Sequence, residues 1–414
     1  MNNCMFAWDR IFLLILLIHV SISSFGYSVL THEAIVDAAW EESIKPALLK
    51  KYPEADDPMI LKQARAFAYG GAIMPDLGYF PGGNKMFTDL VHYVRGGDFV
   101  YSLISNAGNI NELAFAYGAL AHYTSDNYGH PIGVNPSVPL LYPKLKKKMG
   151  DTITFEQDQI AHRRVEFAFD VLQISRGKYA PKAFHDFIGF EIAEDLLRKS
   201  FFQTYCIEID DLFGDFSSSV HTFRWIVTKG FPLLIRGAWK AKSKKVARAN
   251  RSAEKRKFMN EYDLDAYGDE WHKPVKKPGT GATLLAGFIL IVPKVGPLRV
   301  VKYKVPTPET EKNFVESFDV SLLNLNRIIA SESIEVALEN KDFDTGKHSH
   351  TGEYCLADAT YLDLIKKLRK KKYAGLNAGL QQDIIEYFGK PESTLSEPIA
   401  PILREIETMV VAEK

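Results

Sequence analysis

Three metal-ligating side chains at four-residue spacing constrain this chain more than any other feature. His122, Asp126 and His130 fall in AHYTSDNYGHP, and His162 and Glu166 repeat the step in HRRVEF. At about 100° per residue, a four-residue step advances only ~40° around a helix, so each group projects from one face. Imidazoles and carboxylates on a buried face need partners once they leave water. His32, Asp76 and His92 precede the row and supply the same chemistry. Imidazole nitrogen and carboxylate oxygen together suit a borderline divalent cation such as zinc. Eight such donors exceed one tetrahedral ion and fit a cluster of two or three. A lone His on an apolar helix is ordinarily a satisfied core residue, so the argument rests on the ordered set.

The surrounding sequence reads as helices. Residues 34–40 are apolar-rich and follow Thr31, His32 and Glu33; Pro58 opens a helix that runs through Tyr69. Residues 112–128 are rich in Ala, Leu, Phe and Tyr, which favours a buried helix. Thr154 and Gln157, three apart, predict a capped start for a helix over 154–175. An amphipathic helix is expected over 183–204. Gly and Pro clusters at 74–84 and 130–139 punctuate the pattern. No GxGxxG, no phosphate loop and no alternation of strands with helices is present, so the expected class is all-α, a multi-helix domain. With 51 basic and 51 acidic residues, overall charge gives no argument for nucleic acid.

The first 26 residues have the pattern of a secretory signal: Arg10, an apolar run from Ile11 to Ile22, then Ser24 and Gly26 before Tyr27. Export to a periplasmic or extracellular compartment follows, with an uncleaved anchor as the alternative. Cys206 and Cys355 would remain, able to pair in an oxidising compartment or to stay as thiols. Residues 27–240 form the expected metal-binding domain. Residues 241–414 form a helical extension without an assignable role, with helices over 309–339, 357–371, 376–388 and 398–412. Its basic insert at 240–257 reads as a linker or solvated face, alternatively as a contact for anionic lipid. The apolar run at 282–293 is too short to span a bilayer and reads as packing, alternatively as interfacial membrane contact.

Taken in order, Tyr27, His32, Asp76, His92, His122, Asp126, His130, His162 and Glu166 resemble the ligand sequence of the zinc-dependent phospholipase C family. That family includes phospholipase C/D domains and the S1/P1-type nucleases. The resemblance covers roughly residues 27–240. It implies an all-helical fold with three zinc ions and hydrolysis of phosphodiesters by a metal-bound hydroxide. One zinc would sit on Asp76, His92, His122 and Asp126, and a second on His130, His162 and Glu166. The third would sit on His32, Asp126 and the backbone amine and carbonyl of Tyr27, freed by cleavage. Asp76 would be both ligand and proton acceptor. Tyr27 stands where Trp is usual, and His130 follows Asp126 by four residues rather than six. Glu166 matches the phospholipase branch, which points to phospholipid as substrate and to peripheral membrane contact. Nucleic acid is the partner only under the nuclease alternative. A non-catalytic, metal-stabilised structural protein is the remaining one.

Other candidates are weaker. Asp89, three residues before His92, could orient that ring or lie at the surface. Tyr79, Phe80 and Phe87 could line a cleft, though core packing is favoured. His185, His221 and His272 lack neighbouring ligands, and His348 with His350 reads as a loop.

Overall fold

In the computed structural model, the segments 29–176, 190–254, 296–389 and 399–409 are described, with isolated positions 280, 283, 286 and 287. The expected signal segment, Tyr27, His185, His272 and most of the 282–293 run lie outside the described residues. Among the described residues every regular element is helical, and one isolated bridge joins Asp342 to Lys347. The all-α expectation holds. No described helix is long and apolar enough to cross a membrane.

Helix α1 (Val29–Ala39) is followed by α2 (Lys45–Lys51), α3 (Pro58–Ile73), α4 (Lys85–Tyr93), α5 (Gly96–Asn106) and α6 (Ile110–Tyr128). Then come α7 (Asn135–Leu141), α8 (Pro143–Met149), α9 (Gln159–Arg176), α10 (Glu194–Tyr205), α11 (Phe216–Trp225), α12 (Phe231–Ala241) and α13 (Ser243–Glu254). The later helices are α14 (Pro308–Ile329), α15 (Ile334–Ala337), α16 (Cys355–Lys370), α17 (Ala378–Phe388) and α18 (Ile399–Glu407).

The central pair is α3 against α6, and it touches backbone to backbone. A methyl group at Gly71 would overlap the Phe115 carbonyl, and one at Gly118 would overlap the carbonyl of Ala68. Glycine is needed at both positions because any side chain would force the axes apart. This approach sets the site: Gly118 lies one turn before His122, and Gly71 adjoins Ala72, whose carbonyl holds that ring. Asp57 caps α3, accepting N–H bonds from Met59 and Ile60, with Pro58 at the first helical position.

Four elements differ from the sequence expectation; one is the helix expected over 309–339, which is broken between α14 and α15 at residues 330–333. α9 starts at Gln159 rather than near Thr154, because Ile153 donates its N–H to the Asn135 carbonyl (3.1 Å) and Phe155 is buried against His162. Asp158 then caps the helix, accepting from the Ala161 N–H at 2.9 Å. The described part of 183–204 is helical only from Glu194; before it, Glu191 donates to the Ala66 carbonyl at 3.1 Å. Residues 243–254 of the basic insert are not a linker but helix α13, anchored by buried Val246 and packed on α9 and α12.

Cys206 and Cys355 do not form a disulfide; Cys206 is buried at the end of α10, whereas Cys355 is exposed at the start of α16. The C-terminal helices join the same core. α14 runs along α6, α1 and the π-helical turn Gly129–Val134, where the Ser317 hydroxyl occupies the space of a side chain at Gly133.

Candidate metal centre

Each described candidate ligand occupies a fixed place. His32 lies in α1, whose first turn is held by Asp170 of α9: that carboxylate accepts from the Leu30 N–H (3.2 Å) and the Thr31 hydroxyl (2.9 Å). Asp76 lies in the 3-10 turn Met74–Tyr79 that continues α3. Thr88 of α4 clamps that turn. Its hydroxyl donates to the Pro75 carbonyl (2.7 Å) and accepts from the Gly78 N–H (2.8 Å). The Thr88 carbonyl also accepts from Nδ1–H of His92 at 2.8 Å. Likewise the Ala72 carbonyl accepts from Nδ1–H of His122 at 2.8 Å. A carbonyl can only accept, so both rings carry their proton on Nδ1 and turn the Nε2 lone pair inward.

His130 falls just past α6, in the π-helical turn. Pro131 has no N–H to continue the ladder, so the turn widens. His130 still faces the row: its Nε2 is 3.6 Å from Asp126 Oδ1 and 3.5 Å from Glu166 Oε1. His162 is reversed relative to the others. Its Nε2 donates to Asn135 Oδ1 at 2.9 Å, and its Nδ1 lies 2.9 Å from Glu166 Oε1.

The candidate ligand atoms within the described residues converge. His122 and His92 Nε2 lie 3.1 and 3.4 Å from Asp126 Oδ2, and 3.3 Å from each other. His92 Nε2 lies 3.6 Å from Asp76 Oδ1, and His32 Nε2 is 3.5 Å from Asp126 Oδ1. Two ligands each ~2.0–2.1 Å from a tetrahedral zinc stand roughly 3.3–3.4 Å apart, a value that these 3.1–3.6 Å separations bracket. Three groups have donor atoms within 4.8 Å of one another: His32, His122 and Asp126; Asp76, His92 and His122; and His130, His162 and Glu166. The two oxygens of Asp126 face different partners, Oδ2 toward His92 and His122, Oδ1 toward His32 and His130.

These residues fit divalent cations on grounds independent of spacing. Both carboxylate oxygens of Asp76, Asp126 and Glu166, and Nδ1 of His162, are buried with no hydrogen-bond partner. Leaving so many charged atoms unsatisfied costs several kcal/mol per ion unless opposite charge is supplied. The metal-free electrostatics agree. Burial, only partly opposed by His122 and His92, raises the Asp76 carboxyl to about 6. Burial also disfavours charge on Asp126, but His122, His130 and His92 outweigh it and hold that carboxylate well below its ordinary range. For His130, burial is outweighed by Asp126, Asp344 and Glu166, which raise the imidazole to about 10. Burial and neighbouring His122 depress His32 well below its usual value.

Four residues that the sequence did not reveal support this cluster: Thr88, Asn135, Phe343 and Asp344. Asp344 Oδ1 lies 3.1 Å from His130 Nδ1. The Phe343 ring packs 5.1 Å from His92 and 6.1 Å from His122. Thr88 acts partly through its backbone carbonyl, which has no sequence signature. Asp342 and Asp344 in KDFDTG read as turn residues, with nothing linking them to His130 more than two hundred positions away. The expected orienting role of Asp89 is not observed, since it pairs with Lys85 at 2.7 Å while the Thr88 carbonyl takes the His92 ring. Phe80 and Phe87 pack in the core against Phe223 and Phe201, whereas Tyr79 lies 6.2 Å from the His92 ring. His221, His348 and His350 are exposed and outside the cluster.

Residues 31–214 match the family model described as zinc dependent phospholipase C. All eight described candidate ligands fall within that span, and residues 215–414 lie outside it. No curated protein and no solved structure matches the chain.

Proposed function

On the premise that residues 31–214 belong to the zinc-dependent phospholipase C family, whose members are hydrolases acting on phosphodiester bonds, we propose that this chain is an exported zinc-dependent phosphodiester hydrolase cleaving phospholipid head groups. The observation that supports it most is the shared carboxylate of Asp126, flanked by three nested donor groups whose buried oxygens have no other partner.

In this reading Asp76, His92, His122 and Asp126 would hold one zinc, and His130, His162 and Glu166 a second. His32 and Asp126 would hold a third together with the amine and carbonyl of Tyr27, once residues 1–26 are removed. Zinc bound there would supply water acidified to a pKa of about 7 and positive charge for the phosphoryl oxygens. The protein residues set the geometry. The Ala72 and Thr88 carbonyls fix two rings, and Asn135 fixes the His162 ring so that Nδ1 faces inward. Asp76, whose Oδ1 lies 3.6 Å from His92 Nε2, would take the proton released during attack. Peripheral contact with the lipid surface accompanies this substrate.

The test is head-group release from phosphatidylcholine vesicles by the zinc-loaded mature chain, measured beside digestion of single-stranded DNA and RNA. Release of phosphorylated head group with intact nucleic acid is expected. Digestion of nucleic acid without head-group release would transfer the chain to the nuclease branch. N-terminal sequencing should begin at Tyr27; a retained leader on secreted, active enzyme would overturn the amine-ligand assignment.

A further inference from the structure

We infer that the turn at residues 342–347, which lies outside the family match, completes the metal centre, with Asp344 acting as the positioning residue for His130. The inference rests on the functional reading above. A ligating imidazole needs its second nitrogen held to keep the ring in place. For His92 and His122 backbone carbonyls hold it; for His130 the described structure provides Asp344 Oδ1 at 3.1 Å.

Asp344 is itself fixed from several sides. Its Oδ2 accepts from the Tyr93 hydroxyl at 2.9 Å and from the Tyr354 hydroxyl. Its carbonyl accepts from the Asn135 amide at 2.8 Å, and the same amide presents Oδ1 to His162. One residue of the C-terminal part thus orients His130 directly and His162 through Asn135. Two of the three donors in the His130, His162 and Glu166 group depend on it.

The turn is built to stay in place. Phe343 donates its N–H to the His92 carbonyl at 3.2 Å, and Asp342 and Lys347 close the turn at 2.9 Å. Gly346 has φ +68°, and a side chain there would collide with the Asn127 carbonyl. That is the carbonyl an N–H at position 131 would have served had the residue not been proline. The widened turn carrying His130 and the turn carrying Asp344 are therefore packed against each other.

The experiment measures zinc affinity and stoichiometry of the full chain by competition with a chromophoric chelator, for wild type, Asp344→Asn, His130→Ala and the double variant. Asp344→Asn is expected to bind one ion about 10- to 100-fold more weakly while the remaining metal keeps wild-type affinity. In the double variant the loss should equal that of His130→Ala alone, because Asp344 acts through that ring. Wild-type affinity in Asp344→Asn, or losses that add in full, would overturn the inference while leaving the proposed function standing. A folded wild-type chain that takes up no zinc would overturn both. Should Asp344→Asn fail to fold, the cobalt-loaded Asp344→Glu chain carries the test. A changed visible spectrum is expected, and an unchanged one would overturn the inference.

Discussion

The two sides of the metal centre are held in different ways. Around Asp76, His92 and His122, the rings hang from backbone carbonyls of the helices that carry or adjoin them. Around His130, His162 and Glu166, the rings are held by side chains, Asp344 and Asn135, one of which comes from the far end of the chain. A backbone acceptor costs no extra residue and survives almost any substitution at its position. A carboxylate acceptor makes the imidazole a stronger donor to a cation, but it can be lost in a single mutation. The first side is therefore self-contained within residues 31–214, and the second also draws on Asp344, which lies outside that span.

The comparison yields graded predictions. The largest effect is expected where the sides meet. Asp126→Asn removes the carboxylate charge that faces His92 and His122 through one oxygen and His32 and His130 through the other, so activity should fall by more than the ~100-fold that changes behind the ligands reach. Unchanged zinc content in this variant would show that Asp126 is not a ligand. Next is Asn135→Leu, which strips His162 of its acceptor and Asp344 of a donor. We expect about 10-fold or greater loss of zinc affinity confined to the second side, read by chelator competition. Thr88→Val is the matching change on the first side. It keeps the carbonyl that holds His92 but removes both hydroxyl bonds, so it should cost about 1–3 kcal/mol of stability in a denaturant titration. Metal affinity should change less than in Asn135→Leu; the reverse order would break the comparison.

Acidity should separate the sides as well. In the metal-free protein Asp76 titrates at about 6 and His130 at about 10. A proton on either competes with a cation, so zinc affinity falls as pH falls. The first side should weaken as pH drops through about 6. The second must expel a proton from His130 even at pH 7, so zinc uptake there should release protons, measurable by calorimetry in buffers of different ionisation enthalpy. The smallest effect is expected for Asp89→Asn, which touches exposed Lys85 rather than the His92 ring and should leave zinc affinity unchanged.

These contrasts explain what the sequence revealed. The row on α6 and the pair on α9 were legible because four-residue steps on a helix translate directly into a shared face. The helices were legible from apolar periodicity, although Asp158 displaced Thr154 as the cap of α9 once Ile153 was tied to Asn135. Asp344 was not legible, because its role depends on a contact between turns 214 positions apart in the chain. Nor was the Thr88 carbonyl, since any residue supplies one.

The most direct test of the account is the number of zinc ions per folded chain, measured by elemental analysis after equilibration with zinc and removal of loose metal. The account predicts at least two tightly held ions in the wild type and fewer in Asp126→Asn. A folded chain that holds less than one ion after equilibration would contradict it.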